Sequence, residues 1–261
     1  MCSRDHNDYQ VLFSISVRQY HYTGLFFIYN KITIMAFELN NVVPWGRTFT
    51  EYQQMFNLSA NDVTKKIVSI GDGPASFNAE MHAMGKQVTS IDPLYQFSTD
   101  DIRKRIDETC VEVIGQVRAN ADKFVWNNIK DVEELQEIRM TAMNHFLRDF
   151  DQDCFRQRYI KHAMPAKTSF ADNAFELGLS SHFLLLYDNL GLKFHTEAIQ
   201  EIMRICPELR IFPILNLNAG APLFFDELLE VLGGDFNIDI QKVDYEFQKG
   251  GNQMLVIKSK T

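Results

Sequence analysis

Between Lys66 and Pro93 the hydrophobic positions change period twice. Residues 66–70 (KIVSI) form a short β-branched run of strand character, and Gly71-Asp72-Gly73-Pro74-Ala75-Ser76 breaks it at once. Phe77, Ala79, Met81 and Met84 then suit a helix that ends at Gly85, and residues 87–91 read as a second strand closed by Asp92 and Pro93. Strand, glycine-rich turn, helix and strand within about thirty residues predict a βαβ unit, which is right-handed and builds a parallel sheet. Upstream, Pro44 and Gly46 punctuate the chain before a short helix at 50–56.

The pattern after Pro93 is helical for an unusually long stretch. Ser98 and Asp101 form an S-x-x-D helix start. Ile102, Ile106, Cys110, Val113 and Val117 follow at helical spacing, and from Asp131 a second stripe runs through Leu135, Ile138, Ala142, Phe146 and Phe150. A βαβ crossover spends about a dozen to thirty residues here. Residues 98–155 therefore read as a two-helix insertion in a domain spanning 35–261. The parallel pattern resumes with a weak strand at 158–161, a turn at 170–174, strands at 175–181 and 209–215, and helices at 195–206 and 224–232. Two alternating runs, 238–247 and 253–258, joined through Gly250-Gly251-Asn252, predict a closing β-hairpin.

Residues 11–34 are apolar, yet Arg18, Gln19 and His21 interrupt them, and no run reaches the ~20 apolar residues of a spanning helix. Neither a basic n-region nor an A-x-A cleavage site is present, and residues 1–34 read as an appended or mis-called leader before a start at Met35, with a packed arm or a targeting segment as the alternatives.

Composition narrows the function classes. With 46% hydrophobic and 23% charged residues in 261, the chain is neither disordered nor fibrous. A net charge of -8 argues against a duplex-binding surface, which depends on Lys and Arg. The Arg103-Lys104-Arg105 triplet sits between acidic pairs and reads as a solvated face. Cys2, Cys110, Cys154 and Cys206 form no CxxC pair, which suits a reducing, cytoplasmic setting without a structural metal.

Glycine at 71 and 73, directly after a strand, allows a tight turn and lets a ligand approach the backbone. The helix that follows offers free N–H groups. Asp92, nineteen positions after Gly73, closes the neighbouring strand, where a carboxylate accepts ribose hydroxyls. These features point to a nucleoside-bearing cofactor; the plainer alternative is a structural glycine turn with Asp92 as a strand terminator.

IVSIGDGPAS (67–76), VTSIDP (88–93) and SFADNAFELGLSSHFLLLY (169–187) together resemble the class I S-adenosylmethionine-dependent methyltransferases. The resemblance covers roughly 60–97 and 158–258. It implies an α/β fold with a Rossmann-like methyltransferase sheet, mostly parallel, a C-terminal antiparallel hairpin strand and helices on both faces. It also implies S-adenosyl-L-methionine as cofactor. Gly71, Asp72, Gly73, Pro74, Ala75 and Ser76 would surround the methionine part, with Asp72 facing its ammonium group. Asp92 would hold the ribose, Pro93 and Leu94 would flank the adenine, and Ser181 would complete the set. Ser76 stands where a dinucleotide fingerprint has its third glycine, which disfavours NAD. Residues 161–167 lack the acid that the family often places against the adenine, and Glu176 stands where Asp is commoner.

Methyl transfer from a sulfonium needs alignment and exclusion of water, and a base only where the acceptor must lose a proton. His182 is the candidate base or hydrogen-bonding group, against a packed strand-end histidine. Tyr187, Asp188, Asn216 and Asn218 are weaker candidates at the same sheet edge, whereas Tyr245, Glu246 and the 248–252 turn read as structural. The insertion, with Tyr95, Phe97, Phe124 and Trp126 as anchors, is placed to close over an acceptor. The expected protein is a methyltransferase for a small-molecule acceptor, without nucleic-acid or membrane partners and with its oligomeric state open. The alternative is a catalytically silent cofactor-binding or regulatory protein of the same fold.

Overall fold

The glycine turn interrupts a sheet whose strands alternate between two cores. The computed structural model describes residues 43–153 and 157–260; the 1–34 leader, Cys2 and Cys154 lie outside them. Seven described strands follow the order β3-β2-β1-β4-β5-β7-β6. They are β1 (Ile67–Ile70), β2 (Val88–Ile91), β3 (Tyr159–Ile160), β4 (Leu177–Ser181), β5 (Glu208–Phe212), β6 (Phe236–Lys242) and β7 (Gln253–Ser259). The first five are parallel, and β7 runs antiparallel to both β5 and β6. β4 thus lies beside β1 although β2 and β3 intervene in sequence, which makes the tips of β1 and β4 the point where the strand order reverses. Open α/β sheets bind ligands in the crevice at such a point.

Period-two alternation assigns the strand side chains to the two faces. Val68 and Ile70 of β1, Leu209 and Ile211 of β5, and Leu255 and Ile257 of β7 pack with α5 (Gly191–Ile205) and α6 (Phe225–Gly233). Ile67, Leu177, Leu179 and Val256 face the other way, onto α1 (Phe49–Met55) and α2 (Phe77–Ala83). Tyr52 and Phe77 stack there at 4.3 Å between ring centroids. Helices cover both faces, as expected.

The long crossover from β2 to β3 consists of α3 (Thr99–Ala119) and α4 (Val132–Gln152). Each starts where a capping side chain accepts a backbone N–H: Ser98 from Asp101, and Asp131 from Glu134. The two helices pack on each other, and α4 also packs beside α2. Tyr95, Phe146, Phe150 and Tyr159 form an aromatic cluster that fixes their inner ends to the sheet. Their outer connection reaches the β6–β7 connection: Val125 N donates to Phe247 O at 2.7 Å, and Lys249 N to Lys123 O at 3.0 Å. Phe124, Trp126 and Phe247 close that junction. Since β6 runs parallel to β5's parallel neighbours, this junction spans the carboxyl edge of the sheet.

Two boundaries differ from the sequence reading. β5 stops at Phe212, one residue before Pro213, because proline has no N–H to extend the ladder. The closing hairpin is not a tight Gly-Gly-Asn turn. β6 ends at Lys242, and the alternating run 243–247 leaves the sheet because Val243 and Tyr245 are buried against α1.

Candidate functional site

Three elements meet above the β1 tip: the glycine turn, the end of β2, and the sharp bend after β4. Gly71 and Gly73 adopt φ of 66° and 54°, in the left-handed region that side chains disfavour. Gly73 N donates to Asp92 Oδ2 at 2.9 Å, and Leu94 N donates to Asp92 Oδ1 at 2.7 Å. Asp92 thereby joins the tips of β1 and β2. A carboxylate offers about four acceptor positions, so two remain for ligand hydroxyls. Burial pushes its pKa up to about 6, against the pull of the two backbone donors.

The glycines are not equivalent. A Cβ on Gly71 would lie 2.5 Å from the Phe183 ring, so its missing side chain accommodates a residue of this chain. Apart from its chain neighbours, no heavy atom of the described residues lies within 4 Å of a Cβ position on Gly73, so that side-chain space is open.

The rest of the turn is braced from below and from one side. Asp72 is buried and accepts hydrogen bonds from the hydroxyls of Tyr52, Ser69 and Ser90, the latter two at 2.5 Å. Burial raises its pKa, with those hydroxyls opposing. The carboxylate expected to face an ammonium group is instead turned into the interior, where it holds the turn to β1 and β2. Pro74, Ala75 and Ser76 are buried beneath the lead-in segment. Ser76 N donates to Arg47 O at 3.0 Å, and a Cβ on Gly46 would overlap the Pro74 carbonyl. Leu94 is fully buried in the aromatic cluster of α3 and α4, so it does not line the crevice, whereas Pro93 beside it is half-buried.

After β4, His182 and Leu185 have φ of 53° and 71°. Left-handed backbone in residues with side chains is costly and concentrates where a fold aims groups at a site. His182 Nδ1 lies 2.8 Å from Ser181 Oγ, and its ring meets Phe212 edge-on at 5.5 Å. Its Nε2 has no hydrogen-bond partner among the described residues. Burial first, then the charges of Arg47 and Arg139, hold its pKa well below the usual histidine value, so the ring is neutral at neutral pH. Burial raises the Tyr187 pKa, and its ring lies 6.5 Å from that of Phe183, between centroids. Asp188 and Asn216 belong elsewhere: Asn216 Nδ2 donates to Asp188 Oδ2 at 2.8 Å and ties down the loop after β5. Asn218 N donates within that same loop, to Asn216 Oδ1.

Arg47, Glu51 and Arg139 carried no signal of their own in the sequence, while Tyr95 read as an anchor of the insertion and Tyr245 as structural. Arg139 of α4 pairs with Glu51 of α1 through two bonds of 2.7 Å, and Tyr245 OH donates to Glu51 at 3.0 Å. Tyr95 OH donates to Gly73 O at 2.8 Å. Arg47 has a buried Nε without a partner. Only the capping box of Thr48 and Glu51 was legible as a spacing, and it would have marked a helix start rather than a site.

The described residues include no group of three or more His, Cys, Asp or Glu side chains arranged to hold a metal ion, and no described helix is long and apolar enough to cross a membrane. No protein-family model matches the chain. Among solved structures, a TehB-like S-adenosylmethionine-dependent methyltransferase of Corynebacterium glutamicum aligns at 16% identity over 76% of this chain and 81% of its own, with a TM-score of 0.41. The magnesium protoporphyrin IX methyltransferase of Synechocystis PCC 6803 aligns at 9% identity over 81% of both chains, with a TM-score of 0.43. These superpositions are loose, and the fold assignment rests on the strand order and the reversed β7. The uncharacterized protein MJ0045 of Methanocaldococcus jannaschii is 39% identical over 225 residues, covering 84% of this chain and 97% of its own length. The fold is that of the class I S-adenosylmethionine-dependent methyltransferases, and the chain belongs to the family that includes MJ0045 of Methanocaldococcus jannaschii.

Proposed function

We propose that this protein transfers a methyl group from S-adenosylmethionine to a small-molecule acceptor. The observation that carries this reading is the Gly73–Asp92 junction: an acceptor carboxylate beside a glycine whose side-chain space is empty. The chain's own residues fit the cofactor there. Asp92 accepts ribose hydroxyls, Gly73 gives backbone access, and Pro93 borders the same edge. The bound cofactor supplies an electrophilic methyl group, which leaves the protein to align the acceptor and exclude water. The α3–α4 connection, pinned to the β6–β7 connection, is the lid of that crevice. His182 is neutral, and in the tautomer whose Nδ1–H donates to Ser181 Oγ its Nε2 accepts a proton if the substrate must lose one.

Calorimetric titration with S-adenosylmethionine and S-adenosylhomocysteine tests the reading; neither heat nor a melting shift would discard it. Affinity for S-adenosylhomocysteine is expected to fall as pH drops through about 6, because protonated Asp92 loses acceptor capacity. The sign follows from linkage: hydroxyl donors favour the ionised acid, so binding is strongest above that pKa. Asp92→Asn should weaken binding and flatten the profile; an unchanged slope would remove Asp92 from the ribose position.

A second reading has its own support. Phe183 lies on Gly71, and Pro74–Ser76 are covered, which narrows the crevice to the Gly73 side. A silent cofactor-binding or regulatory protein would bind S-adenosylhomocysteine yet transfer no methyl group to any of a panel of small hydroxyl, amine and thiol acceptors. If transfer is found, His182→Gln is expected to slow it by about a hundredfold while cofactor affinity stays constant.

A further inference from the structure

The sheet ends on a long open edge. β6 pairs with β7 along all 7 of its residues in unbroken register, and no described strand lies beyond it. Such an edge templates pairing with another chain, and proteins usually blunt it with proline, a bulge or a short length. β6 has neither a proline nor a bulge. Which of its backbone groups face outward follows from the ladder. Val243 N donates to Asn252 O, continuing the register that pairs Lys242 with Gln253, so the odd-numbered residues of β6 bond to β7. Phe236, Ile238, Ile240 and Lys242 therefore turn their N–H and C=O groups away from β7. The side chains of these four share one face. Phe236 and Ile238 are half-buried beside α6, and Ile240 is 41% exposed in an open groove that Leu229 and Gly233 of α6 also line. Asn237 and Asp239, both exposed, lie on the other face. Lys242, Lys258 and Lys260 stand near Asp235 and Asp239, so the chain's net charge of -8 is not concentrated at this edge.

From this edge we infer that β6 pairs antiparallel with β6 of a second copy of this chain, about a two-fold axis at Ile238, joining the two sheets into one. Outward groups meet outward groups only where even-numbered residues stand opposite even-numbered ones, so the axis passes through a residue of β6. An axis at Asp239 sets that carboxylate against its own copy, and one at Asn237 sets Asp235 against Asp239. An axis at Ile240 sets Ile238 against Lys242. At Ile238 the pattern is self-complementary: Ile238 meets Ile238, Phe236 meets Ile240, and Asn237 meets Asp239 of the second copy. Asp239 accepts from Gln241 through Oδ2, which leaves Oδ1 for the amide of Asn237. Every unlike pair occurs twice, as a two-fold interface requires. A strand edge covers less than the ~1,200–2,000 Å² of a stable interface, so the dimer is reversible and dissociates on dilution.

Sedimentation velocity and amide hydrogen exchange on the full chain, over a concentration series, test the pairing. Wild type is expected to dimerise as concentration rises, and the amides of Ile238 and Ile240 to lose protection as the dimer dissociates. Ile240→Pro removes one outward N–H that the β7 ladder does not use, and should keep the chain monomeric with little change in melting temperature. Should that variant fold poorly, Ile240→Lys retains the N–H, sets a charge against Phe236 and should also be monomeric. The register has its own test. Asn237→Asp places a carboxylate opposite Asp239 twice across the axis and should weaken dimerisation roughly tenfold. Adding Asp239→Asn to it exchanges the two side chains at unchanged net charge and should restore affinity to near wild type. A wild type that stays monomeric at millimolar concentration overturns the inference, as does a dimer indifferent to both changes at Ile240. Protection of Ile238 and Ile240 in the monomer would mean that another segment of the chain covers the edge, and overturns it too. A double variant that fails to regain affinity overturns the axis at Ile238.

Discussion

Arg139→Met is expected to destabilise the protein by about 3–5 kcal/mol, the loss found when one partner of a buried ion pair is removed. In a chain of this size that corresponds to a fall of roughly 10 °C in melting temperature. Arg139 is 1% exposed and Glu51 8%, so neither charge has water as a substitute partner. Burial alone would raise the Glu51 pKa, yet the charge and hydrogen bonds of Arg139 outweigh it and bring it to about 2. An acid with a depressed folded pKa contributes stability that is complete above its unfolded value, near 4.5, and is lost as pH falls towards 2. Wild type should therefore lose this contribution across that interval, and Arg139→Met should not. Pairing it with Glu51→Leu is expected to restore much of the loss, because both charges then leave the interior together. Urea unfolding of the two variants at neutral pH and near pH 3 gives the comparison. A single substitution as mild as an ordinary surface change would show that water reaches the pair.

Gly73→Val is the second large effect, and its signature is loss of binding rather than loss of fold. The side chain would stand in the open space beside Asp92, blocking the approach of a nucleoside, and affinity should fall by more than about a hundredfold. The cost to folding is the left-handed backbone at φ 54°, about 1–3 kcal/mol for a residue with a side chain. Gly73→Ala bears less of that strain and should keep the fold with weakened binding. Gly71→Ala should behave in the opposite way. Its Cβ would press on the Phe183 ring, so stability falls first, and binding changes only as the bend after β4 shifts. Melting curves and S-adenosylhomocysteine titrations on the three variants distinguish the roles. Equal effects on both measurements at both glycines would mean that the turn has no ligand-facing side.

Gly71 and Gly73 look alike in GDG but have different surroundings. Both follow a strand, and spacing alone assigned them one role. The structure gives Gly71 to Phe183 and leaves Gly73 open, because the bend at 182–185 carries an aromatic ring back over the β1 tip. Asp72 shows the same limit. An acid inside a glycine turn reads as ligand-facing, yet three hydroxyls from α1, β1 and β2 turn it inward.

Local order was written in the chain. Short-range chemistry set the helix starts at Ser98 and Asp131, the β-branched strands, and the glycine turn between β1 and α2, because each depends on neighbours within a few residues. The acid at the end of β2 was also legible, since a parallel βαβ unit must bring it beside the turn. Tertiary packing decided the rest. The run 243–247 reads as a strand by alternation, but burial of Val243 and Tyr245 against α1 pulls it from the sheet and brings Tyr245 to Glu51, 194 positions away. Contacts of that separation come from hydrophobic burial and charge pairing across the whole fold, and no local period encodes them.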